Sequence, residues 1–247
     1  MNWVSQRCAM AAGAAIAGIA VVVASSEAHA TDRTRDFSWS INIGATSDYV
    51  FRGISQSAED PALQGGLDVE YGIFYAGLWA STIDFGTGTR AEVDFYAGLK
   101  PKLGPVEFDL GVIYYAYPGS FAGPELDYVE FKAGASTTLH MVSLGATAFY
   151  SPEYTAKSGP AWTFEGTAGV ELPAFGPVTP SISALVGTTQ FEDAGPVDYV
   201  YWNAGIELAI DKVTLDFRYW DTDLSLADCG ASICDERFVA SVKLTLP

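Results

Sequence analysis

Basic residues are scarce in this chain: 13 Lys and Arg stand against 30 Asp and Glu, and the net charge of −17 disfavours a nucleic-acid partner. Histidine is scarcer, with 2 in all, His29 and His140. Lipase, acyltransferase and protease sites normally need a histidine base or a metal, and His140 falls in an expected turn, where it reads as a solvated residue. A carboxylate dyad is the histidine-free chemistry left open, although paired acids such as Glu92 and Asp94 have no nucleophile beside them. No glycine-rich phosphate loop, metal-ligand cluster or nucleotide motif is present, so no cofactor and no enzymatic role are expected. Beyond residue 30 no apolar run is long enough for a membrane-spanning helix. An exported chain without helical spans can still cross a bilayer as a closed barrel. Cysteine comes to 3. Cys229 and Cys234 lie close together with no histidine near them, which favours a local disulfide over a metal site.

What is present begins with a secretory leader. Arg7 supplies the positive region, residues 9–24 the apolar region, and Ala28-His29-Ala30 a small-residue cleavage site. Cleavage after Ala30 removes Arg7 and Glu27, one charge of each sign, so the mature chain 31–247 keeps the charge of −17. With 49% hydrophobic and 17% charged residues, a disordered chain is excluded and a single domain expected.

The clearest pattern lies at 91–115. Ala91, Val93, Phe95, Ala97 and Leu99 alternate with Glu92, Asp94, Tyr96, Gly98 and Lys100. After a turn rich in proline and glycine, Val106, Phe108, Leu110, Val112 and Tyr114 alternate with Glu107, Asp109 and Gly111. Period two with one uniformly apolar face predicts a β-hairpin whose faces meet different surroundings. The same alternation recurs at 37–46, 63–73, 75–83, 129–136, 142–150, 162–172, 178–186, 200–208, 213–220 and 237–246, which makes twelve strands. Facing is ambiguous at 75–83, and Pro180 removes a ladder donor from 178–186.

Connection lengths alternate. Those at 72–74, 101–105, 137–141, 173–177 and 210–212 are short, while those at 49–62, 84–90, 117–125, 151–160, 188–197 and 221–235 are longer. A sandwich tolerates any order of loop lengths. A closed antiparallel transmembrane β-barrel has short periplasmic turns, longer outer loops and an even strand number, and this all-β fold is the one expected. Aromatic pairs near the long-loop ends, Tyr49/Phe51, Tyr114/Tyr117, Tyr150/Tyr154, Tyr199/Tyr201 and Tyr219/Trp220, read as an interfacial girdle. The chain ends on Pro247 where such barrels usually finish on an aromatic, which weakens the terminal assembly signal without touching the fold.

After the first strand comes Ser47-Asp48-Tyr49-Val50-Phe51-Arg52-Gly53-Ile54-Ser55-Gln56-Ser57. This segment resembles the opening motif of a proteobacterial family of outer-membrane porins of the TorF type, conserved proteins without an established substrate; the rest of the chain is similar in pattern, length and aromatic-glycine texture. The resemblance implies a barrel in the outer membrane of a Gram-negative bacterium and a channel role. Asp48 and Arg52 read either as a structural salt bridge at the strand-loop junction or as a direct element of solute selection.

If the apolar face meets lipid, the alternate positions face the lumen: Asp68, Glu70, Glu92, Asp94, Glu107, Asp109, Glu130, Lys132, Glu165, Glu171, Glu207, Asp216, Arg218, Arg237 and Lys243. An excess of carboxylates around a narrow wet pore concentrates cations, so the expectation is a passive, weakly cation-preferring channel for small hydrophilic solutes or ions. The alternative is that Arg218, Arg237 and Lys243 bridge to carboxylates and close the lumen, leaving a structural or loop-binding barrel. Expected partners are outer-membrane lipid and lipopolysaccharide, the barrel-assembly machinery during insertion, and small hydrophilic solutes. Intact-mass spectrometry of the protein extracted from membranes is expected to give a chain beginning at Thr31; a mass that retains residues 1–30 would make the leader an anchor.

Overall fold

Alternation puts one face of every strand in each of two environments, and a row of such strands can hide its edges only by closing on itself. The computed structural model describes residues 37–119, 125–193 and 195–247; the leader 1–30 and the expected mature start, Thr31, lie outside the described residues. Twelve long strands are present among the described residues. In chain order they are β1 (Phe37–Thr46), β2 (Ala62–Tyr71), β3 (Phe74–Thr82), β4 (Ala91–Leu99), β5 (Val106–Ala116) and β6 (Tyr128–Leu139). Then follow β7 (Val142–Ser151), β8 (Ala161–Glu171), β9 (Val178–Phe191), β10 (Tyr199–Ile210), β11 (Val213–Thr222) and β12 (Arg237–Leu246). Each pairs antiparallel with its neighbours in sequence, and β12 returns to β1, with Ile43 opposite Leu244 and Thr46 opposite Ser241. The result is a closed twelve-stranded antiparallel barrel.

Its core is inverted relative to a water-soluble protein. Phe37, Trp39, Ile41 and Ile43 of β1, Phe95 of β4, Leu110 and Val112 of β5, Phe131 of β6, Leu144 of β7 and Phe217 of β11 all stand exposed, and Phe238 of β12 is 81% exposed. The interposed positions carry the polar and small residues. A continuous apolar belt of this kind is stable only against lipid or detergent. Among the described residues no helix is long and apolar enough to cross a membrane.

The tight connections gather at one end. Two-residue turns join β2 to β3, β6 to β7 and β10 to β11, and Gly72, His140 and Asp211 in them take the positive φ such turns demand. The facing of β3, ambiguous in sequence, is decided by register: Leu78 sits beside Phe95 and Leu67 on the exposed face, which turns Tyr75, Gly77, Trp79 and Ser81 inward. The sequence reading of β9 as 178–186 is corrected, because the strand continues to Phe191. Pro180 lies near the short-turn end opposite Leu208, and its carbonyl still accepts from the Leu172 N–H, so the missing donor does not stop the ladder.

The aromatic girdle is also corrected. Tyr114, Tyr150 and Tyr219 face outward, but Tyr49, Phe51, Tyr117, Tyr154, Tyr199, Tyr201 and Trp220 are turned into the barrel, and all seven are buried. Residues one apart on a strand point to opposite faces, so a cluster near a strand end is shared between lipid side and lumen.

Placing a charge on the belt tests it. Phe217→Arg, at the middle of β11, is expected to lower unfolding stability in lipid vesicles by about 2–4 kcal/mol, measured by urea titration; no change would remove the belt from the bilayer.

Candidate functional site: the inward hairpin

The longest structural departure from a plain barrel follows β1. Instead of extending outward, the 47–57 segment folds into the lumen as a miniature hairpin, Val50–Phe51 paired with Ile54–Ser55. Its turn is Arg52-Gly53, with φ of 47° and 82°, the positive values a two-residue type I′ turn needs. Glycine is required at the second position for a further reason: a Cβ on Gly53 would run into the methyl of Thr222 and lie 3.0 Å from Cβ of Tyr201. The tip is thus pressed against β10 and β11.

Period two inside the hairpin gives it two apolar sides. Tyr49 and Phe51 pack with Ile113 and Tyr115 of β5, Tyr128 of β6, and Tyr117 and Tyr154 in the segments that follow β5 and β7. Val50 and Ile54 pack with Tyr199, Tyr201, Trp220, Val239 and the bonded pair Cys229 and Cys234 on the wall of β10 to β12. The hairpin therefore stands across the bore at the long-loop end, with tertiary contacts on both walls. Positions 49–57 are buried throughout.

Polar contacts fix its ends and its tip. Ser47 exchanges hydrogen bonds with Ala240, its N–H donating to the carbonyl at 2.9 Å and its Oγ accepting from the N–H at 3.0 Å. Asp48 accepts from Ser55 and Ser57 at 2.7 and 2.9 Å through one oxygen and from Arg237 at 2.8 Å through the other. The junction salt bridge read from the sequence is thus Asp48–Arg237. Arg52 does something else. Its guanidinium meets Glu130 of β6 through two parallel bonds of 2.8 and 3.0 Å, and both side chains are 2% exposed. The rings of Phe51 and Phe149 lie over it at 4.6 and 4.9 Å, and it reaches the Tyr154 hydroxyl at 3.4 Å. Tyr115 donates to the second oxygen of Glu130 at 2.8 Å. Tyr49 donates to Glu92 of β4 at 2.7 Å and packs edge-on against Trp79. Gln56 donates to the Ile54 carbonyl at 3.0 Å, and its own carbonyl accepts from the Asp84 N–H.

The remaining acidic and basic positions fall on the inward face in two groups. At the hairpin level Glu92, Asp94 and Glu130 are sealed from solvent, at 0%, 0% and 1% exposure. Below it most of the charges pair or are capped by tyrosines. Tyr96 donates to Asp68 at 2.5 Å, Tyr75 to Asp109 at 2.7 Å and Tyr201 to Glu165 at 2.5 Å. Lys132 meets Asp109 at 2.6 Å, Lys100 meets Glu70 at 3.4 Å, and Lys102 meets Glu107 at 3.1 Å. Arg218 spans Asp216, Asn203 and Ser183 at 2.8, 2.6 and 3.0 Å. Glu207 lies opposite Asp216 in register, Lys243 sits between Gly44 and Thr214, and Glu171 closes β8 near the short-turn end.

Tyrosines that would otherwise obstruct the bore lie flat on inward glycines. A Cβ on Gly77 would collide with the Tyr96 ring at 2.6 Å, and one on Gly98 or Gly111 with the Tyr75 hydroxyl at 2.5 Å; Gly187 stands in the same relation to Tyr201. The sequence reading passed over these pairs, because each joins residues on different strands. The exposure of inward positions rises away from the hairpin: on β1, Thr46 is buried and Ser38 exposed. The inward face is thus most exposed at the short-turn end.

A closed antiparallel barrel with an apolar belt and a polar bore defines the transmembrane β-barrel fold class. The chain belongs to the family described as bacterial protein of unknown function (Gcw_chp), whose model matches residues 30–246. Among solved structures, the NanC porin is similar with a TM-score of 0.51 and 11% identity over 84% of this chain and 98% of that one. A membrane protein from a study of in-meso crystallization gives a TM-score of 0.51 and 12% identity over 84% and 83%. At these identities the likeness is one of fold. No match is found among curated protein sequences.

Removing one partner of the tip pair strands a buried charge, whereas removing both does not. Arg52→Ala and Glu130→Gln are each expected to lower stability by about 3–5 kcal/mol, and the double variant by less than their sum. Additive losses in a double-mutant cycle on detergent-folded protein would show that the pair is not coupled.

Proposed function

We propose that this protein is an outer-membrane channel that passively admits small hydrophilic solutes or ions, with a weak preference for cations, and that the 47–57 hairpin is its constriction. The observation that carries this reading is the division of the bore: a polar, solvent-reached inner half beneath a single peptide hairpin that spans the outer half. The tyrosines of the inner half lie against glycines, which keeps their rings close to the wall. The hairpin is secured at its tip by a charged pair and not by apolar contact alone, and such a contact can be exchanged for water. The short turns would face the periplasm and the hairpin the cell exterior, with the belt against lipid and lipopolysaccharide after insertion by the barrel-assembly machinery. The similarity of 47–57 to the TorF-type porins agrees with this reading without naming a solute.

A closed structural barrel is the second reading, and the burial of the hairpin from both sides favours it. Current through single molecules separates the two. In a planar bilayer under a salt gradient, the mature protein is expected to give discrete steps reversing on the cation side. Neutralising Glu92, Asp94, Glu107 and Asp109 together should move the reversal potential toward zero, and Arg52→Ala should raise the step size. A folded, heat-modifiable protein silent in both wild type and Arg52→Ala would leave the closed barrel standing.

A further inference from the structure

The cluster at the level of the hairpin is rich in buried carboxylates. Three carboxylates, Glu92, Asp94 and Glu130, are sealed there with one cation facing them, Arg52. Glu130 is satisfied by Arg52 and Tyr115. Asp94 is not: it is 0% exposed and neither of its carboxylate oxygens has a hydrogen-bond partner. Asp94 projects from β4 beside Tyr115, the residue that donates to Glu130, so its open oxygens adjoin the Arg52 cage. A buried carboxylate without a donor is costly, and a group that brings positive charge and N–H donors relieves it.

The cage already shows which chemistry fits. The guanidinium of Arg52 is held by a carboxylate fork, two aromatic faces and a phenol, a set that matches a flat cation with several N–H groups. Among the described residues no group of three or more His, Cys, Asp or Glu is arranged for a metal ion. We propose that the Arg52 cage and the adjoining Asp94 form a recognition site for free organic cations bearing a guanidinium or primary ammonium group. Such a solute takes the place of the tethered guanidinium on Glu130, its remaining N–H groups reach Asp94, and the hairpin tip is released. This deepens the channel reading and rests on it for the entry and passage of the solute, while binding itself does not require conduction.

The test uses the folded mature protein, in detergent for binding and in bilayers for current, with methylguanidinium as probe, urea as its neutral analogue and sodium as a cation lacking N–H groups. Arg52→Ala empties the cage. Methylguanidinium is expected to restore its melting temperature and to block its enlarged current at concentrations about tenfold below those at which sodium acts, with urea inert. Asp94→Asn keeps the Arg52–Glu130 pair and is expected to bind methylguanidinium about tenfold more weakly than wild type, read from the fluorescence of Trp79 against Tyr49; this arm stands if Arg52→Ala fails to fold. Equal effects of sodium, urea and methylguanidinium, or binding indifferent to Asp94→Asn, would overturn the proposal while the channel could still conduct. Restored melting without current in any variant would instead sink the channel reading and leave the cation site.

Discussion

The pair between Arg52 and Glu130 joins the tip of a loop after β1 to a strand on the far side of the ring, 78 residues along the chain. Nearly every feature of the outer half depends on it. A guanidinium that must reach β6 draws the hairpin across the bore, and that crossing gives Tyr49 and Phe51 one wall to pack on and Val50 and Ile54 the other. The geometry is demanding enough that a non-glycine residue is held at φ 47°. Both partners are out of water, so the arrangement is worth keeping only as a whole; half of it leaves an unpaired charge in a dry site.

Glycine and tyrosine set the shape of the bore. In a twelve-stranded ring the interior is narrow enough for inward tyrosines to fill it and wide enough to leave a passage if they do not. Tyr75, Tyr96 and Tyr201 lie over cross-strand glycines, and each hydroxyl then meets a carboxylate two strands away. These contacts tie alternate strands together from within the bore.

The Cys229–Cys234 loop has a place in this scheme. It sits over the Val50 and Ile54 side of the hairpin, Thr222 donates to the Cys234 carbonyl at 3.1 Å, and Arg237 ties the Ser232 carbonyl to Asp48. The last outer loop and the first are thereby joined at the point where the ring closes. A short covalent loop there limits the freedom of the segment that backs the hairpin.

The sequence by itself determined the strand number, the alternating loop lengths and which residues of most strands share a face. These follow from period-two patterning and turn chemistry, which act over a few residues. It also singled out 47–57 as a segment resembling a family motif, while counting 49–62 among the outer loops. Only the tertiary structure decided that this segment turns inward, that Asp48 pairs with Arg237 while Arg52 pairs with Glu130, and that seven aromatics read as a girdle are buried in the bore. The facing of β3 and the length of β9 were decided there too, by pairing with stronger neighbours. The physical reason is common to all of these. Closing a sheet into a ring brings residues tens of positions apart into contact across a lumen, and no local pattern records which side chain meets which on the opposite wall.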